Sequence, residues 1–75
     1  MEDAMYGTEQ VADFATAARD RRRALGLSQQ DLADLAGVSA RFVHSLEHGK
    51  PTVRLDKVLA VFGVLGLQLE IETRQ

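Results

Sequence analysis

Residues 25–50, LGLSQQDLADLAGVSARFVHSLEHGK, constrain the fold more than any other part of the chain, because they combine two helix starts with two helix stops in a short span. Ser28 is a predicted N-cap for a helix over Gln29–Ala36. Ser39 is the predicted N-cap of a second helix, over Ala40–Glu47. A glycine follows shortly after each helix, as expected of a left-handed C-terminal stop. The stretch therefore predicts two short helices joined by a tight turn.

The turn, Gly37-Val38-Ser39, has the residue types that a helix-turn-helix requires. Gly37 can take the positive φ of the turn, Val38 fills the angle between the helices, and small Ala33 lets them approach closely. In this motif the second helix enters the DNA major groove by its N-terminal residues, while the first crosses the backbone. We therefore expect binding to double-stranded DNA by the residues of the second helix that stay outside the core: Ala40, Arg41, His44, Ser45 and His48.

Further helices are predicted on both sides of this motif. Thr8 is a candidate N-cap for a first helix that ends at Gly26, which leaves residues 1–8 as an expected flexible tail. After the loop Lys50-Pro51-Thr52, a fourth helix is apolar nearly all round, which predicts burial on more than one side. Residues 1–75 are thus predicted to form one mainly α domain of four to five helices. The apolar residues of the fourth helix are Leu55, Val58, Leu59, Phe62 and Leu65.

The last segment, residues 67–73, changes to the two-residue period of a half-buried strand. No other segment of the sequence reads as a strand, so its backbone partner most simply comes from a second copy of the chain. We expect antiparallel pairing about a two-fold axis, with two reading helices about 34 Å apart, one turn of DNA. The expected dimer interface consists of Leu67, Leu69 and Ile71 on the strand, with Phe62 of the fourth helix beneath them.

Composition limits the class of protein. The chain has 75 residues, no cysteine and a net charge of −2, so we expect one small cytoplasmic domain without disulfides. Residues 1–18 carry only acids, whereas residues 19–57 carry eight bases and five acids. This weak basic field argues against purely electrostatic DNA binding, because few phosphates would be neutralised. We expect no secretory signal, because the first ten residues are acidic and polar, and the longest apolar run, residues 58–67, is far shorter than the ~20 residues of a membrane span.

The opening GLSQ, the LA...G core and the closing LE.GK of residues 26–50 resemble the Cro/lambda-repressor (XRE) helix-turn-helix family. The following stretch, KPTVRLDKVLAVFGVLGLQLEIE, is similar to the HipB-type antitoxins, small repressors whose fourth helix runs into a C-terminal strand. The two resemblances together cover residues 17–72. They imply a lambda-repressor-like domain with a C-terminal β-strand that pairs across a homodimer.

The resemblance also implies roles for individual residues. Positions that face base edges are Ser39, Ala40, Arg41, His44 and Ser45, and positions that contact the DNA backbone are Ser28, Gln29, His48 and Lys50. Gln29 is further implied to support the reading helix. Arg22 and Glu47 match a buried ion pair, which agrees with the place of Arg22 on the apolar stripe of the first helix. At Ala40, phage relatives often carry a glutamine that grips adenine, so the operator sequence is open.

Several of these residues have a simpler interpretation. Arg41 either forms two hydrogen bonds with guanine or is a solvated charge. Arg19 to Arg23 form a solvated face that also contacts phosphate, rather than a localisation signal. The sequence His44 to His48 spells H-x-x-E-H, but a catalytic zinc needs a third protein ligand and a cleft. Ser45 lacks a shaped pocket for hydrolase chemistry. We therefore expect no enzyme activity, no metal and no cofactor.

The hypothesis at this stage is a homodimeric bacterial repressor that binds a palindromic operator, at its own promoter, and is also the antitoxin of a HipA-type kinase toxin. Two alternatives remain. The chain is a phage-type repressor without a toxin, or it is an adaptor that uses the same helices to bind another protein. A mobility-shift assay separates DNA binding from the adaptor function.

Overall fold

A computed structural model describes the backbone of residues 2–73 and the side chains of residues 10–73. Within that range the chain forms four α-helices: α1 (Glu2–Ala24), α2 (Gln29–Ala36), α3 (Ala40–Glu47) and α4 (Leu55–Leu65). α2 packs against α3 and α4, and α1 packs against the same two helices. The mainly helical architecture is confirmed, and α2 and α3 have the predicted bounds.

All four helices contribute to one apolar core. Each large aliphatic side chain buried there stabilises the fold by about 1.5–3 kcal/mol relative to leaving it exposed. The aromatic rings of Phe14 on α1 and Phe62 on α4 meet edge to face, with centroids 5.7 Å apart. Ala18 and Ala33 are completely buried, so the helices approach closely at these two positions. The core residues are Ala18, Leu32, Ala33, Val43, Leu46, Val58, Val61, Phe62 and Leu65.

The helices end on glycines in the left-handed conformation, and the end of α2 is the one that sets the turn before α3. Gly37 has φ 71°, and the N–H of Val38 donates to the carbonyl of Ala33 at 3.0 Å. This is the Schellman arrangement, which satisfies a carbonyl that the helix itself leaves free. The chain thereby reverses direction within two residues, as the helix-turn-helix requires.

Arg21 ties the first helix to the end of the last. Its Nε donates to the carbonyl oxygen of Leu65 at 2.8 Å, so the arginine satisfies a free carbonyl at the C-terminus of α4. Arg21 nevertheless remains exposed, whereas Arg22 is turned inward, as its predicted pairing with Glu47 requires. Whether the other arginines of this run contact phosphate stays a prediction.

Three expectations about the helices differ from the structure. α1 begins at Glu2, so Thr8 lies inside the helix instead of capping it. Threonine is tolerated inside a helix because the preference of hydroxyl residues for the N-cap position is only a local bias. α4 is buried along one side only, since Leu55 is 60% exposed and Leu59 is 47% exposed. Leu25, placed on the stripe of the first helix by its spacing, is also exposed. Whether residues 1–8 move independently of the domain stays a prediction.

The C-terminal segment does not form a strand within residues 2–73 of a single chain. Leu67 and Leu69 are half-buried against the core, whereas Ile71 is fully exposed. Phe62, expected beneath the strand at a dimer interface, is only 3% exposed because Phe14 and the core already cover it. A single chain therefore leaves no room for a pair of strands over the buried face of α4.

No helix in the described range is both long and apolar enough to cross a membrane.

Two glycine substitutions test the backbone argument. Neither Gly37 nor Gly63 has another atom within 4 Å of the position that a Cβ would take, but only Gly37 has a positive φ. Gly37→Ala is expected to lower the free energy of unfolding by about 1–2 kcal/mol through backbone strain. Gly63→Ala, inside α4, is expected to raise it by about 0.5–1 kcal/mol. Urea unfolding of both variants measures the difference, and the same sign for both would contradict the argument.

Candidate nucleic-acid interface

Serine side chains fix the starts of the two helices of the motif. The hydroxyl oxygen of Ser28 accepts from the N–H of Asp31 at 3.0 Å, and the carboxylate of Asp31 accepts from the N–H of Ser28 at 3.1 Å. Ser39 accepts from the N–H of Phe42 at 3.0 Å at the start of α3. In both serines the hydroxyl hydrogen remains able to donate outward, because capping uses only a lone pair of the oxygen.

α3 divides its residues between the core and the outer surface. Val43, Leu46 and Glu47 are buried, while Arg41, His44 and His48 are exposed. Ser45 is half-buried at the edge of the exposed side. Ala40, predicted to face bases, is half-buried and packs against the core, so its methyl group offers less surface than a fully exposed side chain would. The exposed side of α3 is therefore polar, with one permanent cation and two imidazoles.

A groove lies between α3 and the chain that links it to α4, and its charged lining is entirely basic. Arg41 comes from α3, Lys50 and Arg54 from the connecting chain, and Lys57 from α4. The Nζ of Lys57 lies 5.8 Å from the centroid of the Phe42 ring, within cation–π distance. We call this the basic groove; its lining residues are Ser39, Arg41, Phe42, Ser45, Lys50, Thr52, Val53, Arg54 and Lys57.

The groove joins residues that sequence reasoning placed at the DNA with residues that it did not consider. Ser39, Arg41, Ser45 and Lys50 were predicted contacts, and they lie together. Thr52, Arg54 and Lys57 were missed, because the sequence places them in a loop and a helix start with no periodicity. Arg54 is held by Asp56, with 2.7 Å between its Nη2 and the carboxylate, and this hydrogen bond is the main cause that lowers the pKa of Asp56.

A buried polar network holds the far end of α3. Glu47 receives two hydrogen bonds from Arg22 on α1, at 2.7 and 2.9 Å, and one from the Nε2 of Gln29 on α2 at 3.1 Å. The side chains of Glu47 and Arg22 are 2% and 11% exposed. Arg22 also donates to the carbonyl of Leu27 at 2.9 Å, in the loop between α1 and α2. The network thus joins three helices and a loop.

Gln29 therefore supports α3 through Glu47. The resemblance implied such support but not its partner, since the sequence separation of 18 residues carries no local signal. Burial alone would raise the pKa of Glu47, but the hydrogen bonds from Arg22 and Gln29, with the positive charges of Arg22 and Arg19, outweigh it. The pKa of Glu47 lies below its ordinary value, so the carboxylate stays ionised in the folded protein.

Comparison with known proteins gives the family. The helix-turn-helix family HTH_3 matches residues 19–71, which include the whole motif, the basic groove and the polar network. An uncharacterised HTH-type transcriptional regulator, y4mF of Sinorhizobium fredii, is 43% identical over 60 residues, which cover 80% of this chain and 79% of that relative. The chain belongs to the helix-turn-helix family of DNA-binding transcription regulators.

In this helix-turn-helix regulator His44 of α3 stacks on His48, the C-cap residue of the same helix. The ring centroids of His44 and His48 are 3.9 Å apart, with their planes inclined by 30°. Within the described residues no group of three or more His, Cys, Asp or Glu side chains is arranged to hold a metal ion. The H-x-x-E-H spelling is also accounted for otherwise, because its glutamate is the buried Glu47 of the polar network.

Removing the charge of Glu47 tests the network. Glu47→Gln is expected to lower the free energy of unfolding by about 3–5 kcal/mol, because it strands the buried Arg22 charge. The double variant Arg22→Met/Glu47→Leu is expected to cost less than either single change. Asp34→Asn, on an exposed carboxylate that accepts only from Gln30, is the matched control and should change stability by less than about 0.5 kcal/mol.

The pH dependence follows from the same group. Since the folded protein lowers the pKa of Glu47, its stabilisation is fully present above the ordinary value of 4.5 and is lost as pH falls through the lower folded value. Unfolding curves of the natural chain and of Glu47→Gln should therefore converge on acidification below pH 4.5. A stability gap that stays constant across this range, or Glu47→Gln as stable as the natural chain at neutral pH, would refute the assignment.

Proposed function

We propose that this chain is a sequence-specific repressor that binds a palindromic operator as a homodimer and regulates its own promoter. The observation that carries the proposal is the basic groove beside the exposed polar side of α3. Four cations line it, and no carboxylate does. In helix-turn-helix binding, a helix such as α3 lies in the major groove, and the flanking loop meets the sugar-phosphate backbone.

The side chains then divide into two roles. Ser39, Arg41, His44 and Ser45 face base edges, with Ala40 offering at most its half-buried methyl group to a thymine methyl. Phosphate contacts come from the surrounding positions, whose charge or hydrogen bonding fixes the register without reading sequence. They are Ser28, His48 and Lys50, as implied by resemblance, together with Thr52, Arg54 and Lys57 of the basic groove. Gln29 contacts phosphate only through those hydrogen-bonding groups of its side chain that are not bound to Glu47.

Two substitutions in the basic groove separate these roles. Arg41→Ala is expected to weaken operator binding by about 1–3 kcal/mol and to relax the preference at one base pair, because it removes a base contact. Lys50→Ala is its matched control and should weaken binding to operator and random duplexes alike, because phosphate carries no sequence. Fluorescence anisotropy with both duplexes gives the comparison. Equal losses on both duplexes for Arg41→Ala would assign Arg41 to phosphate.

The proposal of a homodimer rests on apolar side chains and backbone groups that a single chain leaves exposed. Ile71 is fully exposed, and residues 68–73 make no backbone–backbone hydrogen bond among those found in the described part of the chain. Leu55 and Leu59 lie one turn apart on α4 and are about half exposed. A second copy that pairs its C-terminal segment antiparallel with this one would satisfy the backbone groups and cover these apolar side chains. Phe62 contributes from within the core instead of at the contact surface.

Ile71 provides the sharpest test of assembly. Ile71→Asp is expected to yield a folded monomer whose operator affinity falls at least 10-fold, because the side chain touches nothing within its own chain and two half-sites are no longer gripped together. Gln68→Asp, an exposed change in the same segment on the opposite side, is the matched control. Sedimentation equilibrium measures the mass. A monomeric natural chain at micromolar concentration would contradict the dimer.

The antitoxin role is supported by the resemblance of residues 50–72 to HipB-type antitoxins. Its partner would be a HipA-type kinase toxin that binds the faces turned away from DNA. A gene for a kinase-like protein beside this one would support that role, and its absence would favour a repressor that acts without a toxin.

A further inference from the structure

His44 and His48 are the chain's two histidines, and both are exposed on the side of α3 that carries Arg41. The sequence contains no cysteine. Histidine is the side chain whose ordinary charge change falls between pH 5 and 8, so this stacked pair holds all the side-chain titration expected in that window. Any response of the described surface to mild acidification is therefore concentrated on the helix that reads DNA.

The orientation of His48 is fixed by its own helix. Its Nδ1 lies 2.8 Å from the carbonyl oxygen of His44, and because a carbonyl only accepts, Nδ1 carries a hydrogen and donates. The other ring nitrogen, Nε2, therefore has a free lone pair when the ring is neutral. Protonation there adds a charge and a second donor without breaking the first hydrogen bond. The C-terminal end of α3 also favours a cation at this position.

The charges around the pair do not already neutralise an imidazolium. Among the described side chains, neither ring forms an ion pair with a carboxylate. Four acids of α1, α2 and α3 have other partners: Asp20 lies beside Arg19, Asp31 caps with Ser28, Asp34 accepts from Gln30, and Glu47 is held by Arg22. Asp56 of α4 is paired with Arg54. Nearby along the chain are the cations Arg41 and Lys50, and Arg54 and Lys57 line the adjoining groove.

Two protons on the pair would repel each other across the 3.9 Å between the ring centroids. A DNA duplex offsets this repulsion, because its phosphates bring a high density of negative charge to the same surface. Binding of DNA and binding of protons at this pair must then favour each other, since coupling between two sites is reciprocal.

We propose that DNA binding by this protein takes up protons at the His44–His48 pair, so that its affinity for duplex DNA rises as pH falls from 8 to 6. The inference rests on the proposed function, in which α3 meets DNA. Uptake of about 0.35 to 0.5 protons, averaged between pH 8 and pH 6, makes the dissociation constant about 5- to 10-fold smaller at pH 6 than at pH 8. Because an added cation meets phosphate, the salt dependence of binding is also steeper at pH 6.

The test measures anisotropy of the full-length chain on two labelled duplexes, one of random sequence and one from the region upstream of its own gene, at constant ionic strength. The natural chain is expected to bind both duplexes about 5- to 10-fold more tightly at pH 6 than at pH 8. The double variant His44→Gln/His48→Gln is expected to change by less than about 2-fold over the same range. Its melting curve establishes that the domain is folded.

Each outcome decides a different question. A natural chain that binds DNA with no pH dependence overturns the proton linkage and leaves the proposed function standing. The same pH dependence in the double variant also overturns it, because another group is then responsible. A natural chain that binds neither duplex at either pH overturns the proposed function itself. Where the double variant binds too weakly, titration calorimetry of the natural chain in two buffers of different ionisation enthalpy counts the protons directly, and zero uptake refutes the proposal.

Discussion

The ionised carboxylate of Glu47, buried among Arg22 and Gln29, is the interaction on which the reading helix depends. A charge with 2% of its side chain exposed persists only if every partner is in place, because an unpaired buried charge is costly. Its partners come from α1 and α2, and Arg22 also holds the carbonyl of Leu27. The C-terminal end of α3 is therefore fixed in position and rotation, and that fixes which side chains its N-terminal half turns outward.

The arginines are divided between this internal task and the surface. Arg22 is neutralised by the carboxylate of Glu47 within the fold, whereas Arg21 donates to a neutral carbonyl and keeps its charge at the surface. The cations of the basic groove remain on the outside, and together they are few. A protein with a net charge of −2 gains limited affinity from phosphate contacts alone. Hydrogen bonding by the polar side of α3 must supply more of the free energy of binding, and such contacts are the ones that distinguish sequences.

The sequence predicts the parts of this fold that local chemistry determines. The bounds of α2 and α3 follow from Ser28, Ser39 and Gly37, because caps and left-handed stops act over a few residues. The start of α1 could not be predicted in this way, since Thr8 has a capping side chain without being at a helix end. Contacts between distant residues, such as Arg21 with Leu65, leave no local pattern. Thr52, Arg54 and Lys57 of the basic groove escaped prediction for the same reason, because they join its lining only through the path of the loop before α4.

In the proposed homodimer, the C-terminal part would link stability to DNA binding. A domain of this size buries a modest share of its surface, and α4 with the residues after it leaves Leu55, Leu59 and Ile71 in water. Covering them with a second copy adds apolar burial that one chain cannot provide for itself. The proposed homodimer would also double a basic field that is weak in one copy and set two reading helices on one duplex. Because such an association would stabilise each copy and raise the affinity for two half-sites at once, a substitution that loosens α4 should reach DNA binding through assembly, even where no residue of the reading helix has changed.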